Sequence, residues 1–293
     1  MAELKVPQGC GVGILEGGGT YARIHYSVDP SKRSPEYRAE GIKERGAKWW
    51  MQQMEMQDDI YEGEPVFPDL IPRHHVPELY RSEYIKLLPS ANYVGGWDCG
   101  TTRQPAFTLA QLPDFGQIQW AFEVVPQKPM DMGTFAPIVR QELINFMPGQ
   151  MGRIVHVGDP TGNTKSGTDS RTSFEIAHGY GFNINPGEQF PALREDAVNW
   201  ALRDWLNQQG EEEQWIPRVI YSEFGAPVLT AGMKGAYCYQ LAPQGATVGA
   251  GMIVKKALKN WFSHTNDAHQ YGSILARQIL TAVVKKRRDL TGW

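Results

Sequence analysis

Apolar and polar positions divide the chain into an irregular N-terminal part and a strongly patterned remainder. From residue 92 onward, short apolar or alternating runs cover 92–98, 105–112 and 118–125. Such runs, bounded by turn-forming residues, predict strands. The connections between them are short enough for an antiparallel meander. The pattern therefore predicts three consecutive strands that pair in order.

The next pattern is helical. Apolar residues at helical spacing predict a helix over 134–147, which ends at Pro148-Gly149. An apolar run over 152–158 then predicts a buried strand, and the crossover rule makes it a parallel neighbour of the first strand. The remaining patterns predict a short helix around 175–177, a helix over 191–208, a fifth strand over 215–221, a hairpin from 235–241 and 247–254, and a terminal helix from about residue 266.

The N-terminal part carries weaker signals. An alternating run predicts a strand over 20–29, Ser34-Pro35 opens a helix, and a stripe of Trp and Met residues predicts a packed helix over 48–60. Residues 62–89 are proline-rich and read as a linker on a surface, with His74-His75 in a solvated loop. We place a domain boundary near residue 88.

Composition narrows the class of protein. The 293 residues are 41% hydrophobic and 21% charged, with a formal net charge of −3, which is typical of a globular protein with room for a local basic groove. Three scattered cysteines favour a reducing compartment. With no leader or membrane-length apolar run, we expect a soluble cytoplasmic protein. The expected fold is α/β, with a central mixed five-stranded sheet flanked by helices, an extra hairpin and an N-terminal linker segment.

Three aspartates end predicted elements. Asp98 and Asp159 follow strands, and Asp267 lies at the start of the terminal helix. Each alone is better explained as a turn or helix-start residue, and only the three together favour a metal site. Because neighbouring parallel strands end at the same edge of a sheet, we expect the first two carboxylates to lie close together. An all-oxygen cluster suits Mg²⁺ or Mn²⁺, and such clusters serve two-metal phosphoryl chemistry.

Other polar residues surround these positions. His264 lies one turn before Asp267, where it would bind a softer ion such as Mn²⁺ or shuttle a proton. Basic residues near the acidic turns and the hairpin fit phosphate contact or solvated surface equally well. They are Arg103, Lys165, Arg171, Lys255, Lys256 and Lys259.

Two other chemistries are disfavoured by spacing. The stretch 158–165 lacks the Gly-Lys-Ser/Thr end of a phosphate-binding loop, so we expect no ATP site in this chain. Ser222-Glu223 lacks the strand-turn-helix context of a nucleophile elbow, which disfavours a serine hydrolase.

Several stretches together resemble the nuclease domain of the large terminase subunit of tailed bacteriophages, which has an RNase H-like fold. The resemblance covers about residues 20–285, and the three acidic motifs carry most of it. The motifs are Gly96-Trp97-Asp98-Cys99-Gly100, Gly158-Asp159-Pro160-Thr161-Gly162 and the segment 264–271, supported by 63–68, 191–198 and 232–237.

This resemblance implies a metal-dependent endonuclease that cuts concatemeric viral double-stranded DNA during packaging. Asp98, Asp159 and Asp267 would be the catalytic metal ligands for two Mg²⁺ or Mn²⁺ ions, with His264 matching a position that some members use. The implied partners are DNA, the portal protein and the small terminase subunit, in the host cytoplasm. The sequence shows no counterpart of the family's ATPase domain with its phosphate loop, so residues 1–88 are expected to be the end of that domain plus a linker, and 89–293 the nuclease domain. Either a fragment of the large subunit or a separately encoded nuclease half would fit.

Two alternatives stay open at this stage. The same fold serves resolvases and transposase-type nucleases, since fold does not fix function. A non-catalytic interaction module of a packaging motor would also fit. Preference for branched DNA would favour the first alternative, and the absence of a bound ion near Asp98 after a Mn²⁺ soak would favour the second.

Overall fold

The computed structural model describes residues 11–14, 20–23, 29, 34–45, 64–100, 104–165, 170–239 and 257–291. The chain forms two compact units, Met1–Gly63 and Glu64–Trp293. In the first unit, β1 (Gly11–Ile14) pairs antiparallel with β2 (Thr20–Arg23), and a helix, α1, covers Pro35–Arg45. The Ser34 hydroxyl accepts a hydrogen bond from the Tyr37 N–H at 3.1 Å, which explains why the helix begins there. The helix predicted over 48–60 lies outside the described residues.

The second unit is built on a six-stranded sheet. Three antiparallel strands are β3 (Asn92–Asp98), β4 (Ala106–Leu112) and β5 (Ile118–Val124). Two of the remaining strands are β6 (Ile154–Gly158) and β7 (Ile184–Pro186). Strands β8 (Trp205–Asn207) and β9 (Ile216–Pro217) form a separate small sheet. The last strand of the main sheet is β10 (Val219–Tyr221). The strand order is β10-β5-β4-β3-β6-β7, and only β4 runs against the others.

This topology confirms the predicted RNase H-like α/β fold. The antiparallel meander and the parallel pairing of β6 with β3 are both as expected. The expected strand count was one too low, because β7 has only three residues and leaves no periodic signal. The predicted strand over 215–221 is divided, since Ile216–Pro217 pairs with β8 in a separate small sheet while Val219–Tyr221 joins the main one.

Helices cover both faces of the sheet. They are α2 (Pro72–His75), α3 (Met132–Phe146), α4 (Ser173–Gly179), α5 (Pro191–Arg203), α6 (Pro227–Ala231) and α7 (Trp261–Thr291). The predicted helix over 191–208 ends earlier than expected, at Arg203, because β8 follows it. The terminal helix begins earlier than predicted, where the Asn260 side chain accepts from the Ser263 N–H at 3.0 Å and caps it.

Alternate residues of β3 point to different cores, as expected for a strand. Tyr93 and Trp97 are buried with residues of α3 and α4. Val94 lies in the other core, with residues of α5 and α7. Asp98 has the same parity as Val94, so its side chain belongs to the α7 face of the sheet. Asp98 and the aromatic core around Tyr93 and Trp97 therefore lie on opposite faces of the sheet.

The segment before β3 belongs to the second unit instead of forming a surface linker. Val66, Phe67 and Val76 are buried in the same core as Val94. His75 is fully buried in α2, and its Nδ1 accepts a hydrogen bond from the Ile71 N–H at 2.8 Å. The expectation of a solvated histidine pair is wrong for this reason. The compact unit thus begins at Glu64, whereas assignment of residues 1–88 to the end of an ATPase domain stays a prediction.

The predicted hairpin is only partly within the described residues. Gly232–Ala236 forms a wide helical turn, so no strand starts at Gly235. Tyr239 makes an isolated antiparallel bridge with Ala257, and 240–256 lie outside the described residues. Across the part of the chain that the structure describes, no helix is long and apolar enough to cross a membrane.

Helix α7 packs closely against the central strands of the sheet. It packs against β3, β4 and α5. At Gly96 a methyl group would overlap the carbonyl oxygen of Ala268, and at Gly272 it would lie 2.6 Å from the Trp120 ring. Glycine at these two positions allows the helix backbone to approach the strands, which brings its first turns to the end of β3.

Replacing Gly96 by alanine should push α7 away from β3. Overpacking of this kind costs about 1–3 kcal/mol, so urea unfolding should show a corresponding loss of stability. Gly152→Ala is the matched control, because a methyl group there meets no atom within 4 Å. Equal stability of the two variants would contradict the close approach.

Acid should weaken the fold through His156. This buried imidazole accepts a hydrogen bond from the Trp97 indole at 3.0 Å, and burial lowers its pKa from 6.5 to about 4. Its contribution to stability is complete above the unfolded pKa and is lost as the pH falls from about 6.5 toward 4. His156→Gln should remove a pH dependence of up to about 1.4 kcal/mol per unit, measured by urea unfolding. The exposed His178→Gln is the control, and an unchanged slope in His156→Gln would refute the assignment.

Candidate active site

Asp98 is the last residue of β3 and is 6% exposed. Its Oδ1 accepts a hydrogen bond from the Gly100 N–H at 3.0 Å, an Asx-type turn that redirects the chain. Its Oδ2 lies 2.8 Å from Nδ1 of His264 on the first turn of α7. Both carboxylate oxygens are therefore oriented by the protein, one from the strand end and one from the helix.

Asp159 directly follows β6 and lies beside the end of β3. Trp97 is in register with Gly158, and the Asp159 N–H donates to the Trp97 carbonyl at 3.0 Å. The side chain accepts from the Thr161 N–H at 2.9 Å and caps the short helical turn that follows. The two strand-end acids are thus neighbours, as the parallel pairing predicted, although Asp159 also serves the turn.

Asp267 enters the same region from α7 and is 8% exposed. Its Oδ2 forms an ion pair with Lys259 Nζ, and its Oδ1 accepts from the Tyr237 hydroxyl at 3.3 Å. Burial raises the pKa of this carboxyl, Lys259 opposes the rise, and the charge of Asp98 adds to it. Burial therefore outweighs the neighbouring ammonium, and the pKa of Asp267 lies above its ordinary value.

The pKa of the Tyr271 hydroxyl is affected by all three acids. Its pKa is raised mainly by burial; Arg194 opposes the rise, and Asp159, Asp267 and Asp98 add to it. Tyr271 lies one helical turn after Asp267. Tyr271 therefore lies within electrostatic range of all three carboxylates, two at the ends of β3 and β6 and one in the first turns of α7.

Helix α5 adds two residues that sequence patterns did not single out as functional. The Arg194 guanidinium lies 4.4 Å from the centre of the Tyr271 ring, and its buried Nε has no hydrogen-bond partner among the described residues. Glu195 accepts from the Tyr239 hydroxyl at 3.1 Å. Burial raises the pKa of Glu195; Tyr239 and Arg194 lower it, and Asp267 raises it. A fourth carboxylate and a buried cation thus join the three predicted acids.

The donor chemistry of this region fits a hard divalent cation, since its acids supply oxygen ligands. As the side chains stand in the described segments, no group of three or more His, Cys, Asp or Glu residues is arranged to hold a metal ion. Asp98 is engaged by His264, and Asp267 by Lys259 and Tyr237. The region therefore holds oxygen ligands of the predicted type. Their assembly around a metal ion stays a prediction.

The predicted phosphate-contacting residues have separate outcomes. Lys165 and Arg171 are exposed near the loop after Asp159, and Lys165 forms a β-bridge with Thr172. Lys259 forms an ion pair with Asp267, and its side chain is exposed, so its contact with phosphate stays a prediction. The other three predicted residues, Arg103, Lys255 and Lys256, lie outside the described residues.

Comparisons with known proteins give matches only in structure. No family model and no curated protein matches the chain. The large terminase of a thermophilic bacteriophage has a TM-score of 0.47 and 14% identity, covering 83% of this chain and 52% of that chain. The P22 large terminase nuclease domain has a TM-score of 0.47 and 11% identity, covering 73% of this chain and 92% of that chain. This chain thus spans about half the length of the thermophilic phage terminase.

Arg194→Met should destabilise the protein. It removes a buried cation that lies over the Tyr271 ring and lowers the pKa of Glu195, so the expected cost is about 2 kcal/mol. Urea unfolding at neutral pH measures the loss, and adding Glu195→Gln should recover part of it. Arg203→Met is the matched control, since its pair with Asp69 is largely exposed and is worth about 0–1 kcal/mol. Equal losses in the two single variants would contradict the role of Arg194.

Proposed function

We propose that this chain is a metal-dependent endonuclease for double-stranded DNA of the kind found in viral genome-packaging terminases. The observation that supports the proposal is that Asp98 and Asp159 lie at the ends of two adjacent parallel strands and that both, together with Asp267 of α7, raise the pKa of Tyr271. The sequence motifs around Asp98, Asp159 and Asp267, which resemble those of terminase nuclease domains, support the same proposal. The nuclease part would therefore coincide with the compact unit that contains the sheet.

The residues that would hold the metal are Asp98, Asp159 and Asp267, with His264 beside them. Two Mg²⁺ or Mn²⁺ ions, when bound, supply a water of lowered pKa and stabilise the leaving oxygen of a phosphodiester. The chain itself fixes the ligands: the Gly100 N–H holds Asp98, and the Thr161 N–H holds Asp159. This pre-orientation reduces the cost of assembling the site.

His264 has a separate task in this proposal. Its Nδ1 lies 2.8 Å from Oδ2 of Asp98, close enough to hold or move a proton at that oxygen. Because the imidazole is carried by α7 and the carboxylate by β3, the contact also ties the helix to the strand end. His264 thus links the position of Asp267 to that of Asp98.

The substrate and partners follow the same proposal. Cutting concatemeric DNA requires little base readout, and phosphate contacts from Lys165 and Arg171 would position the duplex. The portal protein and the small terminase subunit are the proposed protein partners, and the host cytoplasm is the proposed location. We assign no nucleotide hydrolysis to this chain.

Asp98→Asn, Asp159→Asn and Asp267→Asn should each reduce DNA cleavage by at least roughly a hundredfold, because each removes a charged ligand from the metal ions. Plasmid digestion with Mg²⁺, Mn²⁺ or EDTA measures this, and circular dichroism checks the fold. Asp131→Asn is the matched control, since this exposed aspartate caps α3 and asparagine caps equally well.

Equal nicking by the wild type and all three site variants in Mn²⁺ would place the site elsewhere. Faster cleavage of branched than of linear DNA would assign the chain to the resolvase type. No cleavage by the wild type, together with no Mn²⁺ near Asp98 in an anomalous scattering map, would favour an interaction module.

A further inference from the structure

One of the proposed metal ligands, Asp267, already forms an ion pair with a lysine. The ammonium of Lys259 pairs with Oδ2 of Asp267, whose other oxygen accepts from the Tyr237 hydroxyl. The Asp267 side chain is 11% exposed, whereas that of Lys259 is 58% exposed. The pair is therefore asymmetric, with a buried acid and a cation that reaches it from the surface.

The backbone holds Lys259 in place on both sides. The Leu258 N–H donates to the Cys238 carbonyl at 2.8 Å, and the Asn260 side-chain amide donates to the Ala236 carbonyl at 3.1 Å. Asn260 also caps α7, the helix that carries Asp267. The chain on either side of Lys259 is thus anchored beside Asp267, while the exposed lysine side chain keeps its rotational freedom.

The second cation of the region differs in this respect. Arg194 is 8% exposed and lies against the Tyr271 ring, so its charge is fixed in the interior. Lys259 needs only side-chain rotation to return its ammonium to water. Of these two cations, Lys259 is the one that can leave without unpacking a helix.

We propose that Lys259 is a resident counter-ion of the acidic site and that a divalent cation displaces it from Asp267. The inference rests on the proposed metal site. Neighbouring carboxylates need a cation between them to remain ionised together, and the ammonium supplies that charge at Asp267 while no metal is bound. An ion that takes Oδ2 of Asp267 competes directly with the lysine.

The test is metal binding measured by thermal unfolding, which does not depend on cleavage. Wild type, Lys259→Met, Lys259→Arg and Lys234→Met are titrated with MnCl₂ after EDTA treatment and dialysis. A bound ion stabilises the folded state to an extent set by its concentration relative to its dissociation constant. The control Lys234→Met removes an ion pair with Glu223, which is outside the acidic site.

Lys259→Met should need about fivefold less Mn²⁺ than the wild type for the same rise in Tm, because a competing cation is gone. Lys259→Arg and Lys234→Met should respond like the wild type. If Lys259→Met does not fold, Lys259→Gln removes the charge while keeping a donor, and the same shift is expected.

If the wild type responds to Mn²⁺ but the uncharged Lys259 variant needs as much Mn²⁺ or more for the same rise in Tm, the counter-ion role is overturned and the metal site stands. A lower Mn²⁺ requirement in Lys234→Met as well would overturn it too, because the effect would then be one of general charge. No response in any variant would overturn both the metal site and this inference.

Discussion

The close contact between α7 and β3 is the constraint on which the rest of the second unit depends. Gly96 has no side chain to separate the strand from Ala268, so the helix backbone rests directly on the sheet. The same helix contributes Ala276 and Leu280 to the core it shares with α5 and brings His264 to within 2.8 Å of Asp98. Packing and site geometry are therefore set by one helix position, and displacement of α7 would alter both.

Electrostatics imposes a second condition on the same place. Asp267 and Glu195 both lie where burial and neighbouring negative charge oppose ionisation. Their surroundings compensate in two ways, through the buried guanidinium of Arg194 and through the exposed ammonium of Lys259. The buried Arg194 stays beside the acids at all times, whereas the exposed Lys259 can be exchanged for a metal ion. If both cations were buried, freeing a carboxylate oxygen for a metal ion would require the helices to unpack.

Much of the fold is predictable because β3, β4 and β5 are apolar runs with short turns, and the crossover rule fixes the place of β6. The acids are predictable for the same reason, since Asp98 and Asp159 end those strands. Short elements could not be predicted, because the three residues of β7 and the divided run 215–221 carry too little periodicity. The burial of Val66, Phe67 and His75 could not be predicted either, since a proline-rich sequence indicates local chain conformation and not tertiary contacts.

The partners of the acids are harder to predict than the acids themselves. An aspartate after an apolar strand is unusual enough to be noticed, but an arginine on a helix such as α5 has the same pattern as any solvated residue. What makes Arg194 a site residue is its contact with Tyr271, on a helix that begins much later in the chain. Asp98 and His264 are similarly separated, by 166 positions. Strand ends thus reveal where negative charge gathers, while the charges that balance it become visible only when α5 and α7 pack together.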